Sequence, residues 1–158
     1  SHVTAFRVYE TSETVTLDRI TQRNLELTEP IFTESGDTTL VKVLDRTRTP
    51  MGTRLLREWL VRPLRDREAI EERLDAVEAL ARDPLLLAEL GETFAAVRDV
   101  ERTITRLNVG SANARDLQVL QRGLAAVPGI RQLLDSTDTD LTRQLRDDLV
   151  EQIGRAHV

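Results

Sequence analysis

His2 and His157, the only two histidines, stand at opposite ends of this 158-residue chain, and there is no cysteine. A histidine metal site or a Ser–His nucleophilic pair needs an imidazole held inside a fold, and a thiolate site needs sulfur. The sequence offers neither. Its seven glycines are scattered singly, with no Gly-rich loop leading to a lysine, so a phosphate cradle of the P-loop kind has no residues to form it. Acidic pairs such as Glu71–Glu72 and Asp147–Asp148 are adjacent in segments of helical texture. Neighbouring helical residues point about 100° apart, so these pairs do not converge as catalytic carboxylates must. The expectation is a chain with no catalytic, cofactor-binding or metal-binding residues, one that neither binds nor hydrolyses ATP.

Arginine is the remaining candidate. Lys42 is the only lysine, and Arg46, Arg48, Arg54, Arg57, Arg62, Arg65 and Arg67 form the one basic concentration. Guanidinium groups bind phosphate and carboxylate with a planar fork, so the cluster could meet nucleic acid or the acidic face of a partner. Against that, the net charge is −5, which supplies no strong counterion-release term. Aromatic residues are only 3% of the chain and too dispersed to form a base-stacking platform. The preferred reading pairs the cluster with Asp45, Glu58, Asp66 and Glu68.

The elements that must position these side chains read as helices. Residues 3–17 are the exception, with alternating Phe6 and Val8, then Val15 and Leu17, in an extended pattern. Asp18 is the expected N-cap of a helix over 19–27, stopped by Pro30. Residues 33–37 form a loop. A helix from Thr38 or Thr39 to about Asp45 brings Leu40, Val43 and Leu44 to one side. Thr49 then caps a helix with Pro50 in its first position and a stripe of Met51, Leu55, Leu56, Trp59 and Leu60, closed by Pro63. On this pattern Trp59 is a buried core residue. Asp66 caps a helix to about Arg82 with the stripe Ile70, Leu74, Val77 and Ala81, and Asp83-Pro84 starts another through Leu86, Leu90, Phe94 and Val97. Asp99 caps a helix to Leu107, ended by Asn108-Val109-Gly110. A further helix opens near Asp116, with Leu117, Leu120, Leu124 and Val127 on one face and Pro128-Gly129 after it. Leu141, Leu145, Leu149 and Ile153 mark the last, cut near Gly154. The fold class is therefore all-α, a multi-helix bundle with a short extended N-terminal segment. No apolar run reaches the roughly 20 residues of a membrane span.

Several separated motifs, in order, resemble one family. Residues 17–27, LDRITQRNLEL, with Asp18, Thr21 and Asn24, resemble the L-D-x-x-T-x-R-N-L-E-L opening of the core region of MutS-type DNA mismatch-repair proteins. The similarity continues through 43–52, VLDRTRTPMG, with Asp45, Thr49, Pro50 and Gly52. It runs on through 54–60, RLLREWL, with Trp59; 62–66, RPLRD, with Pro63; and 73–78, RLDAVE, with Arg73. Asp99, Glu101 and Arg102, followed by Arg106-Leu107 and Arg115-Asp116-Leu117, keep the same order. Together these cover most of residues 17–134.

The resemblance implies an all-helical core, or lever, lying between the mismatch-reading end and the ATPase end of a clamp-shaped protein. On that reading residues 1–16 are the end of the preceding connector, with a tag remnant at 1–2. Residues 17–158 are the core, truncated before the clamp. The family's mismatch wedge and nucleotide-binding domain are not in these residues, so ATP and magnesium belong to a different domain of the parent. The implied partners are the other domains of that chain and, through an intact homodimer, mismatched duplex DNA. The implied location is cytoplasmic, with no membrane association. The expected function is non-catalytic coupling of DNA recognition to ATP hydrolysis. One rival is a freestanding nucleic-acid-binding module using Arg46 to Arg67; the other is an all-α enzyme, which would have only carboxylates and arginines from which to build a site.

Overall fold

Local capping explains where most helices begin. A computed structural model of the chain describes residues 13–32 and 38–155, in two compact units: residues 13–32, 38–45 and 55–70 in the first, 46–54 and 71–155 in the second. Eight helices occur among them: α1 (Arg19–Asn24), α2 (Leu40–Leu44), α3 (Pro50–Val61), α4 (Arg67–Ala81), α5 (Pro84–Ala96), α6 (Val100–Asn108), α7 (Ala114–Leu134) and α8 (Asp140–Arg155). The all-α expectation holds. The extended reading at Phe6 and Val8 and the loop at 33–37 lie outside the described residues. None of the described helices is long and apolar enough to cross a membrane.

In the first unit, Asp18 accepts hydrogen bonds from the backbone N–H groups of Ile20 and Thr21, both at 2.9 Å, and so starts α1. The helix was expected to reach Leu27 but ends at Asn24. Glu26 adopts a left-handed φ of 46°, its N–H bonds to the Arg23 carbonyl, and the Leu27 N–H reaches back to the Gln22 carbonyl. This paired closure is a Schellman motif, with Glu26 in the position glycine usually takes. Leu27, just past the turn, is buried, and its carbonyl receives the N–H of Val41. In α2 Val41 is the buried residue, whereas Leu40, Val43 and Leu44 are exposed. Residues 13–15 meet the segment after α3 through a single antiparallel bridge, Thr14 with Leu64, rather than a strand. Trp59 is 42% exposed, which overturns its reading as a core residue: along its stripe Leu55 and Trp59 are exposed, while Met51, Leu56 and Leu60 are half-buried.

The second unit has its core where α7 packs with α5, α6 and α8. Leu86 and Leu90 of α5 meet Ile130 and Leu134 of α7, flanked by Leu80, Val97, Ala126, Leu133 and Leu149. On α4 the buried residue is Ala76, while Leu74 and Val77 are 58% and 62% exposed; the stripe expected to face the core faces out. The α7 stripe is likewise turned. Asp116, Gly123, Ile130 and Leu134 are its buried residues, and Leu117 and Leu124 are exposed. A displacement of one residue turns a helix face by about 100°.

Helix α7 does not stop at Pro128 but continues to Leu134. Pro128 removes the N–H that would bond the Leu124 carbonyl. Both residues lie on the exposed side of the helix, where water can take the donor's place. α8 opens with a reciprocal pair, the Thr142 N–H to the Thr139 hydroxyl and the Thr139 N–H to the Thr142 hydroxyl, and runs to Arg155, the last of the described residues and next to Gly154, where its end was expected.

Candidate functional site

The linear arginine cluster is divided by the fold. Arg46, Arg48 and Arg54 belong to the second unit, while Arg57, Arg62, Arg65 and Arg67 belong to the first. What gathers in the second unit is a different set, assembled around the start of α6.

The geometry begins with two helix N-termini. Thr49 caps α3 by accepting the Gly52 N–H at 3.0 Å. A Cβ at Gly52 would lie 3.2 Å from both Thr47 Cβ and Thr49 Oγ1, so the turn fits closely only around glycine. One turn on, Arg54 projects to the cap of α6. Its Nη1 and Nη2 donate to the two carboxylate oxygens of Asp99 at 2.9 and 2.8 Å, a bidentate fork. The same guanidinium donates to Glu101 Oε2, from Nη2 at 2.5 Å and from Nε at 3.2 Å. Asp99 also caps α6 through the Arg102 N–H at 3.2 Å, and the Arg102 Nε lies 3.5 Å from its other oxygen. The expected partners of the cluster were sequence neighbours; Arg54 instead pairs 45 and 47 residues away.

Electrostatics follow from this geometry. The Arg54 hydrogen bonds hold the Asp99 carboxyl down at about 2, against the opposing effect of burial, with the Arg102 N–H assisting. Asp99 and Glu101 in turn push the Arg54 guanidinium further up. A second pair lies nearby: Arg106 donates to Asp116. Asp116 is buried, and its carboxyl is lowered first by the Asn113 N–H and then by Arg106. Asn113 and Asp116 form a reciprocal capping box at the start of α7.

Arg48, Arg54, Arg98, Arg102 and Arg106 line a cleft of about 540 Å³ with Asp99 and the apolar side chains of Ala95, Val97 and Val119. Its carboxylate is held ionised and saturated with donors, so it is a poor proton carrier near neutral pH. Five arginines against one carboxylate leave the lining strongly cationic. Among the described residues no group of three or more His, Cys, Asp or Glu side chains could hold a metal.

Of the motif residues singled out in the sequence, Thr49, Pro50, Gly52, Asp99, Glu101 and Arg102 come together here, with Asp116 on the adjoining pair. Arg73 is on α4, away from the cleft lining. Asp18, Thr21, Asn24, Asp45, Trp59 and Pro63 belong to the first unit. Thr21 donates its hydroxyl to Asp18 at 2.7 Å, and the Pro63 carbonyl accepts the Val15 N–H at 2.8 Å. Sequence reasoning missed Arg98, Arg106 as the partner of Asp116, and the hub role of Arg54. The Asn-x-x-Asp spacing at 113–116 was the available signal for the capping box; the Arg54–Asp99 contact has no local signal.

Comparison with known proteins assigns the whole arrangement to one family. The family described as MutS domain III matches residues 20–158. The DNA mismatch repair protein MutS of Methanosarcina mazei is 41% identical over 150 residues, covering 94% of this chain and 17% of that protein. The protein of the same name from Methanococcoides burtonii is 43% identical over an equal span and coverage. That from Symbiobacterium thermophilum is 44% identical over 148 residues, again with 94% and 17% covered. The chain thus spans about a sixth of the length of these relatives. On that match and these identities, the chain belongs to the MutS domain III family.

Proposed function

We propose that this chain is a non-catalytic coupling core within a MutS-type DNA mismatch-repair protein, connecting recognition of mismatched DNA to an ATPase located elsewhere in that protein. The observation that carries the reading is the Arg54 fork. One guanidinium ties the first turns of α3 to the cap of α6, which packs on α7. A coupler works by moving rigid elements between discrete arrangements. A charge-assisted bidentate pair is the kind of joint that keeps two helices together during such a movement. On this reading the parent is an ATP- and magnesium-dependent homodimer, and the domain acts by position rather than chemistry. The rival module built on Arg46 to Arg67 has less support, because that run is divided between two units.

The test is made in the longer protein. Arg54→Met should leave mismatch binding and basal ATP hydrolysis within about twofold of wild type, while the change in hydrolysis on adding mismatched duplex shrinks several-fold, about 1 kcal/mol of coupling. Full retention of the mismatch response in a variant shown to lack the Arg54 fork would exclude this joint from the coupling path.

A further inference from the structure

The arginines of the cleft are not all used by the fold. Arg54, Arg102 and Arg106 are matched by Asp99, Glu101 and Asp116. Arg48 and Arg98 line the same cleft, and neither has a carboxylate or hydrogen-bonding partner for its side chain among the described residues. Arg48 is held over α5, its Nε 3.5 Å from where a Cβ on Gly91 would stand. Two arginines with no such partner among the described residues therefore line one cleft of about 540 Å³, within the ~300–1,000 Å³ of ordinary ligand sites. Asp99, the carboxylate in the cleft lining, already accepts from both Nη atoms of Arg54 and from the Arg102 N–H.

We propose that Arg48 and Arg98 form a binding site for a phosphoryl oxyanion, seated in the cleft between the start of α3 and the start of α6. Charge selects the ligand. A single carboxylate satisfies one fork and leaves the other guanidinium unmatched, whereas a phosphoryl group presents several acceptor oxygens and up to two negative charges. Free phosphate supplies both charges on one group, whereas a nucleic-acid backbone, with one charge and two free oxygens per phosphodiester, supplies them from two successive phosphates. The proposal is independent of the coupling role and can fail without it.

The experiment uses the 158-residue chain with ¹⁵N-labelled arginine, titrated with inorganic phosphate while sodium chloride holds the ionic strength constant. Saturable shifts concentrated on the Nε–H signals of Arg48 and Arg98 are expected. In the Arg48→Gln/Arg98→Gln double variant, folding being checked by circular dichroism, affinity should fall about tenfold or more, as loss of charge-assisted hydrogen bonds implies. Arg122→Gln, outside the cleft, should titrate as wild type. A second arm replaces phosphate with a short DNA duplex. Saturation of the same two signals at a much lower phosphate concentration assigns the site to a polymer backbone, and an equal or weaker effect assigns it to the free ion. An equal response to chloride alone, a tighter response to a glutamate peptide than to phosphate, or a double variant that titrates unchanged would each overturn the proposal.

Discussion

Arg54 shows how much of this domain depends on single side chains whose partners are remote in sequence. Its effect on Asp99 carries a pH signature. The Asp99 carboxyl sits at about 2 in the folded chain against an ordinary 3.8. A depressed carboxyl contributes stability that is fully present above the unfolded value and disappears as pH falls through the folded one. The stability difference between wild type and Arg54→Met should thus be constant above about pH 5 and shrink as pH falls from 3.8 toward about 2. Denaturant titrations across that range measure it; a difference that stays the same at every pH would show that the fork does not set the Asp99 proton affinity. Trp59 gives the opposite lesson. At 42% exposure it should show red-shifted emission in the folded chain. Trp59→Ala should cost clearly less than the ~3–5 kcal/mol typical of a buried aromatic. A blue-shifted spectrum, or unfolding of the variant, would place it in the core after all. The caps at Asp18, Thr49, Asp66, Asp83 and Asp99 were legible in the sequence, because a cap and its target lie within three residues. The Arg54 pair was not, because nothing local encodes a partner 45 residues away.

At the scale of elements, helix existence was legible and helix orientation was not. Apolar spacing identified α4 and α7 as amphipathic, but which face turns inward depends on what approaches it. On α7 the decision lies with Gly123. A Cβ there would stand 2.6 Å from Val100 Cγ2 of α6, so the glycine permits the close approach that fixes the buried face. Gly129, two turns on, has only Thr93 Cγ2 near, at 3.9 Å. The two glycines should consequently respond to alanine with opposite signs. Gly129→Ala should stabilise by up to about 1 kcal/mol through helix propensity. Gly123→Ala should destabilise by about 1–3 kcal/mol net of that gain, through overpacking against a short, stiff side chain. Thermal unfolding of both variants decides it, and a stabilised Gly123→Ala would mean that α6 and α7 can separate at no cost. The helix ends divide in the same way. α1 and α6 close with the same backbone motif, but α6 uses Gly110, at a φ of 70°, whereas α1 uses Glu26. The glycine was readable as a stop; the glutamate was not, and α1 was expected to run three residues too far.

For the whole molecule, the consequence is a second unit with one well-covered core and an apolar stripe left open. Leu90 is 4% exposed among Leu86, Ile130 and Leu134, while Leu74 and Val77 on α4 are 58% and 62% exposed. From the sequence the three looked alike, all leucine or valine at helical spacing. Periodicity reports that a face is apolar; coverage is a property of the assembled chain. Their substitutions should therefore separate. Leu90→Ala removes a side chain from a packed cluster and should cost about 2–5 kcal/mol, transfer and cavity together. That is a large part of the ~5–15 kcal/mol available to a domain. Leu74→Gln with Val77→Gln removes apolar surface already in water and keeps residues compatible with a helix, so stability should stay within about 0.5 kcal/mol per site. Solubility at high concentration should rise in the double variant, since an exposed apolar stripe favours self-association. Guanidinium denaturation and concentration-dependent light scattering on the three chains test both halves. If the double glutamine variant unfolds as readily as Leu90→Ala, α4 turns its stripe inward in solution and the face assigned here to water belongs to the core.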